Sequence, residues 1–421
     1  MRLLAPVAAL AALVAGAVAP AFAGGAVITV NSAGDWSPTP ADVADCLQST
    51  NTCTLRGAIA AANQAAGPET IQFAPSVTGT IALTQGTLTV TDDLVIQGPG
   101  ASALAIDGSA GVSDGIIQDQ ASTLTVSGLT LQNGTSSDSP LDQRGGGGIQ
   151  QLAGDLTVSG VTFTGNTSGG GNDGGAIYAD GTSTTITGST FTSNHASGGI
   201  EATSGGAIYL DGGLLTVSGS TFSGNAATTH GGAIEADAGT LVTITGSTFT
   251  SNQATIGAAI ELWSGELSVS SSNFSGNVAS GDGAAIDAQS SGTVTISGTH
   301  VTSNTGGAIR VQGTLDLSNS VIESNTAPDY AGVGAQTGYL LAVTITGNTI
   351  TDSPFECESD NGCTAGLSLW GGAVAYSTIT GNANSNGSPV PTPNCLFLGA
   401  VTDGGGNTVG SDCTFGVAGA G

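Results

Sequence analysis

Two sets of six residues in the middle of this chain carry most of its recognisable chemistry. Tyr178, Tyr209, Glu235, Glu261, Asp287 and Arg310 each stand one residue after an Ile, and Asp180, Asp211, Asp237, Trp263, Gln289 and Gln312 stand two residues further on. Brought into rows, Glu235, Asp237 and Glu261 would converge on one cation, and Ca²⁺ is the candidate because its oxygen ligands need only loose geometry. The sequence requires no other cofactor. Glu261 with Asp237 or Asp287 offers a second chemistry, the acid and base of a glycosidase, with Trp263 and Tyr209 as platforms for sugar rings. Tyr178 and Arg310 complete the candidate ligand-binding set. Carboxylates stacked about 5 Å apart repel by roughly 0.8 kcal/mol per pair even in water, so solvent, a cation or Arg310 beside Asp287 must offset them. The plainer reading is that these side chains point outward on an acidic surface and are solvated. His195, His230 and His300 fall at scattered positions of the repeat and are given no chemical role.

Rows require a repeat, and the chain has one. The Ile of Gly-Gly-Ala-Ile and its variants falls at Ile149, Ile177, Ile208, Ile234, Ile260, Ile286 and Ile309, in steps of 28, 31, 26, 26, 26 and 23. An apolar residue three before an Asn keeps pace with it, from Phe163/Asn166 through Phe191/Asn194, Phe222/Asn225, Phe249/Asn252 and Phe274/Asn277 to Val301/Asn304 and Ile322/Asn325. Two markers drifting together define one structural unit with insertions in its loops. Within each unit the apolar period is two, as in Leu215-Thr216-Val217, and Gly, Ser and Asn break the run after a few residues. A unit that short cannot bury its own apolar side, so coils must stack. Equivalent residues would then lie about 4.8 Å apart, placing Phe in an internal stack and Asn in an internal amide ladder. The spaced Ile, Val, Leu and Phe argue against a disordered low-complexity chain, and propeller repeats run longer than these.

Composition narrows the partners. Lys+Arg number 4 against 31 Asp+Glu, for a formal net charge of −27, so nucleic acid and other polyanions are disfavoured. The opening MRLLAPVAALAALVAGAVAPAFA reads as a secretory leader cleaved after Ala23. No later stretch is apolar for long enough to span a bilayer as a helix. Export permits disulfides among Cys46, Cys53, Cys357, Cys363, Cys395 and Cys413. Proximity favours Cys46–Cys53, Cys357–Cys363 and Cys395–Cys413; the spacings are too irregular for a zinc site. Thr54 can cap a short helix whose Leu55, Ala58, Ile59 and Ala62 share a face, ended by Gly67-Pro68.

The paired Gly-Gly-Ala-Ile and Phe-x-x-Asn markers, from about Gly145 to Asn325, resemble the repeats of the polymorphic outer-membrane protein family. CTLRGAIAAANQAAGPETIQFA, from Cys53 to Ala74, is similar to the Cys-Ser-Leu-Arg-Glu-Ala segment that opens many secreted β-helix proteins. It departs by carrying Gly57 where Glu is usual, so an ion pair from that Glu to Arg56 is not expected. Together these resemblances imply an all-β chain: a right-handed parallel β-helix of the pectate-lyase-like class, with a short N-terminal capping helix and a disulfide-stapled C-terminal cap. The expected layout is a leader over 1–23, an N-terminal cap over 24–68, the β-helix over 69–350, and final irregular coils with the cap over 351–421. The membrane proteins of that family continue into a barrel for which this chain leaves no room after the repeats, so self-anchoring is not expected.

The function expected is an extracellular or cell-surface one, structural or adhesive, with a rigid face presented to glycan or cell-surface protein partners. The alternative is a polysaccharide lyase or glycoside hydrolase, since pectate lyases and polygalacturonases resemble this fold class. A lyase acting on polyuronate needs cationic side chains, and this chain has no Lys and only Arg310 in the candidate rows. Asp92-Asp93 resembles the paired aspartates of polygalacturonases, but the Gly-His-Gly and Arg-Ile-Lys elements are missing. A third reading, ice binding, comes from Thr157/Ser159, Thr185/Thr187, Thr216/Ser218, Thr243/Thr245, Thr295/Ser297 and Thr344/Thr346, which would form a flat hydroxyl and methyl array. Thr is also the ordinary solvent-side residue of a strand.

Overall fold

The computed structural model describes residues 25–421 apart from 40–42, 47–51, 66, 137–143, 171–172, 199–202, 238, 282–284, 290–291, 329, 352–363, 386–393, 412, 414 and 416–421. The leader and the Cys357–Cys363 pair lie outside the described residues.

Each coil is built from short strands whose two-residue apolar period sends alternate side chains inward. A representative coil runs through Ile177–Ala179, Ser183–Thr187, Thr190–Thr192 and His195–Ala196. The first two belong to a 23-stranded sheet, the third to a 13-stranded sheet and the fourth to a 6-stranded sheet, and every ladder between successive coils is parallel. The Ile markers pair directly, Ile149 with Ile177, then Ile208, Ile234, Ile260, Ile286 and Ile309.

Stacking in register makes the core. Phe163, Phe191, Phe222, Phe249 and Phe274 form a continuous column with ring centroids 4.7 Å apart and planes within 4° of parallel. Beside it runs the asparagine ladder from Asn166 to Asn394, in which each Nδ2 donates to the Oδ1 of the next coil at 2.9–3.2 Å. Hydrophobic columns and satisfied amides together let a chain so poor in aromatics close an interior.

At the amino end, helix Leu55–Ala62 lays Leu55, Ala58, Ile59 and Ala62 on the core. It ends at Ala62, several residues before Gly67-Pro68. Thr54 caps it by accepting from the Gly57 N–H at 3.0 Å; Thr54→Ala is expected to lower unfolding free energy by about 1 kcal/mol, read from a guanidinium midpoint. Arg56 finds another partner in place of the missing Glu. Its Nε donates to Asp35 Oδ1 at 2.6 Å, and its other nitrogens reach the Gly86 and Thr87 carbonyls. Burial pushes the Asp35 carboxyl up, but Arg56 and the Thr84 and Gln85 N–H groups outweigh it and hold the carboxyl below its ordinary value.

The region read as the N-terminal cap also supplies a coil strand, Val27–Val30, paired with Glu69–Phe73. At the other end, Leu367–Ala375, Thr378–Thr380 and Val401–Asp403 continue the same ladders past residue 350. The disulfides Cys46–Cys53 and Cys395–Cys413 staple the two ends.

Candidate functional site

Register assembles the first candidate row. Tyr178 pairs with Tyr209, Tyr209 with Glu235, Glu235 with Glu261, Glu261 with Asp287 and Asp287 with Arg310. The residues between the two rows, Ala179, Leu210, Ala236, Leu262, Ala288 and Val311, are buried in the core.

Four of the six residues of the first row are buried, which corrects the plainer reading of the sequence for them, while Tyr209 and Arg310 are partly exposed. Glu261 and Asp287 are 0% exposed, Tyr178 3% and Glu235 5%. Over Glu235 and Glu261 the glycine that opens Gly-Gly-Ala-Ile contributes. Gly231 has φ +56°, a conformation other residues reach only at a cost, and it turns the chain so that the residue before it lies back over the row. His230 occupies that place. Its Nδ1 lies 2.7 Å from Glu261 Oε2, and Gln289 Nε2 donates to Glu261 Oε1 at 2.7 Å. Ligand atoms from His230, Glu235 and Glu261 all lie within 4.8 Å of one another. Two coils earlier, Asp173 takes the equivalent place, its Oδ1 accepting from the N–H of Ser204, the equivalent residue of the coil between them, at 2.6 Å.

The carboxylates feel their burial. Desolvation raises Glu235 well above the ordinary carboxylate range, and the charges of Glu261, Asp173, Asp237 and Asp287 push the same way. Burial likewise brings Asp173 to about 7, against the pull of the Ser204 N–H. The hydrogen bond to Glu261 raises His230, overcoming the desolvation that opposes it.

These positions revise several expectations. Asp237 does not complete a cation set with Glu235 and Glu261; its Oδ2 accepts from the Tyr209 hydroxyl at 3.0 Å, and His230 stands in the cluster instead. Tyr178, from the candidate ligand-binding set, is buried, stacked on Tyr209 at 5.7 Å and donating to Asp211 Oδ2 at 2.9 Å. As an acid and base pair, Glu261 with Asp287 lies beneath the surface, where a glycosidic bond does not reach it. Arg310 Nη1 does stand 3.7 Å from Asp287 Oδ2. Asp92 and Asp93 brace turns, accepting from the Asp93 and Thr123 N–H groups at 2.9 and 2.8 Å. Thr344/Thr346 leave the hydroxyl array: they sit on the 13-stranded sheet, whereas Thr157 through Thr295 share the 23-stranded one.

The second row stays open. Its column continues from Trp263 through Gln289, Gln312 and Gln336 to Trp370, and both tryptophans are about half exposed, at 49% and 54%. Between Arg310, Gln312, Tyr330, Gln336 and Trp370 opens a cavity of about 340 Å³. Gly334, paired with Arg310 and Ser368, leaves that space unfilled, since a Cβ there would meet nothing within 4 Å. Gln312, with its amide turned so that both ends are satisfied, donates to the Gln289 carbonyl and accepts from Arg310. Sequence reasoning missed His230, Asp173, Gln336 and Trp370.

Residues 206–384 match the family model described as a right-handed beta helix region, and residues 160–180 and 188–211 match the Chlamydia polymorphic membrane protein repeat. The chain is a right-handed parallel β-helix, and two of its segments are similar to that repeat. No curated protein sequence matches it. Among solved structures it is similar to tailspike protein 3 of bacteriophage CBA120, with 13% identity, a TM-score of 0.35, and coverage of 83% of this chain and 57% of the tailspike. The chain thus spans just over half the length of that protein. No helix among the described residues is long and apolar enough to cross a membrane.

Proposed function

We propose that this chain is an extracellular or surface-displayed adhesive β-helix that binds uncharged glycan along the strip from Trp263 to Trp370. The observation that carries this reading is the row Trp263, Gln289, Gln312, Gln336, Trp370, each residue directly following one of the paired Leu262, Ala288, Val311, Ala335 and Leu369, with a tryptophan at each end and a cavity at one of them. Sugar rings offer an apolar C–H face to an indole and hydroxyls to primary amides. The row supplies both groups on a rigid sheet, with ends four coils or about 19 Å apart, so little ordering entropy opposes binding. The net charge of −27 favours an uncharged polymer over a polyanion. The polymorphic membrane protein repeat supports display at a surface.

Binding of the purified chain to a glycan array tests the reading. Trp370→Ala is expected to weaken the best ligand at least tenfold, about 1.4 kcal/mol, while Trp36→Ala, at an exposed tryptophan near the other end, leaves it unchanged. Loss of neither affinity nor selectivity in Trp370→Ala overturns the strip. Release of reducing ends from a polysaccharide, abolished by Glu261→Gln in a folded chain, would replace adhesion with hydrolysis.

A further inference from the structure

We propose that His230, Glu235 and Glu261 form a site for one divalent transition-metal ion of the Zn²⁺ class, held between two successive coils beneath the surface. The three ligands lie outside the glycan row, and only Gln289, which supports Glu261 from behind, belongs to both.

Three observations carry it. The first is the donor set: one imidazole nitrogen and two carboxylates present atoms within 4.8 Å of one another. A tetrahedral ion with bonds of about 2.0–2.1 Å places its ligand atoms about 3.3 Å apart, within reach of small side-chain shifts. The second is an unsatisfied group. Glu235 is 5% exposed, its Oε2 has no hydrogen-bond partner among the described residues, and one oxygen of this carboxylate lies within 4.8 Å of ligand atoms of His230 and Glu261. A buried carboxylate oxygen without a donor is costly, and a cation supplies what no N–H or O–H there does. The third is support behind the ligands. Gln289 holds the far oxygen of Glu261 at 2.7 Å, leaving Oε2 toward His230, which is how outer groups orient a metal ligand.

The donor types choose the ion. Ca²⁺ takes six to eight oxygens, whereas an imidazole beside two carboxylates suits Zn²⁺ and its first-row neighbours. Zn²⁺ would replace the proton shared by His230 and Glu261 and neutralise two carboxylates that the ladder holds in adjacent coils. Three protein ligands leave a fourth position for water, on the side where the His230 side chain is 19% exposed.

Calorimetric titration of the EDTA-stripped full chain with ZnCl₂, and separately with CaCl₂, tests the site. One Zn²⁺ per chain is expected, with Ca²⁺ weaker by at least tenfold. Glu235→Gln and His230→Gln are each expected to weaken Zn²⁺ by about 100-fold or more, beyond the range typical of outer-shell changes, while His300→Gln changes nothing. X-ray absorption of the Zn²⁺-loaded wild-type chain gives a readout that needs no variant, and one imidazole among N/O ligands is expected. No Zn²⁺ heat, Zn²⁺ binding retained in a folded Glu235→Gln, Ca²⁺ bound as tightly as Zn²⁺, or an absorption spectrum without imidazole would each overturn the proposal.

Discussion

Asn252→Ala is expected to cost about 4 kcal/mol of unfolding free energy. The Asn252 Oδ1 accepts from both the backbone N–H and the Nδ2 of Asn225, at 3.0 Å each, and its Nδ2 donates to the Phe222 carbonyl at 3.1 Å and to Asn277 Oδ1 at 2.9 Å. Alanine removes all four bonds from an interior where Asn225, Asn252 and Asn277 are 0% exposed. Asn225 Nδ2 keeps the Phe191 carbonyl, and Asn277 Oδ1 keeps the backbone N–H of residue 252. The Asn225 N–H is left unsatisfied with no water to replace its partner, at roughly 1–3 kcal/mol, and the three other lost bonds add roughly 0.5–1.5 kcal/mol each. Chemical unfolding of both chains, followed by circular dichroism, measures the difference. Hydrogen exchange at the Asn225 amide locates it, because loss of protection should begin there and spread to nearest-neighbour coils. A loss below about 1 kcal/mol, with the Asn225 amide still protected, would mean that the ladder accompanies coil stacking without sustaining it.

The ladder and the phenylalanine column were legible because they are periodic. A marker that returns every coil reports the one thing a solenoid fixes, which is that like residues lie over like, and so Phe191, Phe222 and Phe249 fall into one stack. The same logic placed Glu235, Glu261 and Asp287 in a row. What alternation within a strand does not report is the path of the chain between strands. The positive φ of Gly231 folds His230 over Glu261, so a histidine that looks incidental by repeat position becomes a neighbour of two carboxylates. Trp370 escaped for a different reason. After Ile309 the marker position passes to Val333 and Leu367, and without its signature the row could not be followed four coils on from Trp263. A signal was nonetheless present: alignment on the Phe-x-x-Asn positions, which continue through Ile345/Asn348 and Ile379/Asn382, would have carried the register to that tryptophan.

Inward positions need not be apolar, and Asp119 gives a strongly pH-dependent consequence. It pairs with Val90 on one side and Gln151 on the other, in the column that becomes Ala179 in the next coil, and is 0% exposed. Its Oδ1 accepts from the Ala121 N–H at 3.0 Å, while Oδ2 has no partner among the described residues. Burial, with a further push from Asp93, raises the carboxyl from 3.8 to about 7 against that single hydrogen bond. The folded chain therefore holds this proton more tightly than the unfolded one. Stability from Asp119 is fully present below about pH 4, falls as pH rises through the interval from 4 to 7, and stays lost above it. A shift of that size corresponds to about 4 kcal/mol, at roughly 1.4 kcal/mol per unit. Asp119→Asn keeps the acceptor toward Ala121 and cannot ionise. Its unfolding free energy is expected to match the parent near pH 4 and to exceed it by about 4 kcal/mol at pH 8, with the gap opening between those limits. Other acids, Asp173 among them, titrate in both chains and cancel in the difference. Guanidinium unfolding of the pair at half-unit pH intervals gives the curve; a difference that does not change with pH would show that Asp119 ionises as freely in the fold as in the unfolded chain.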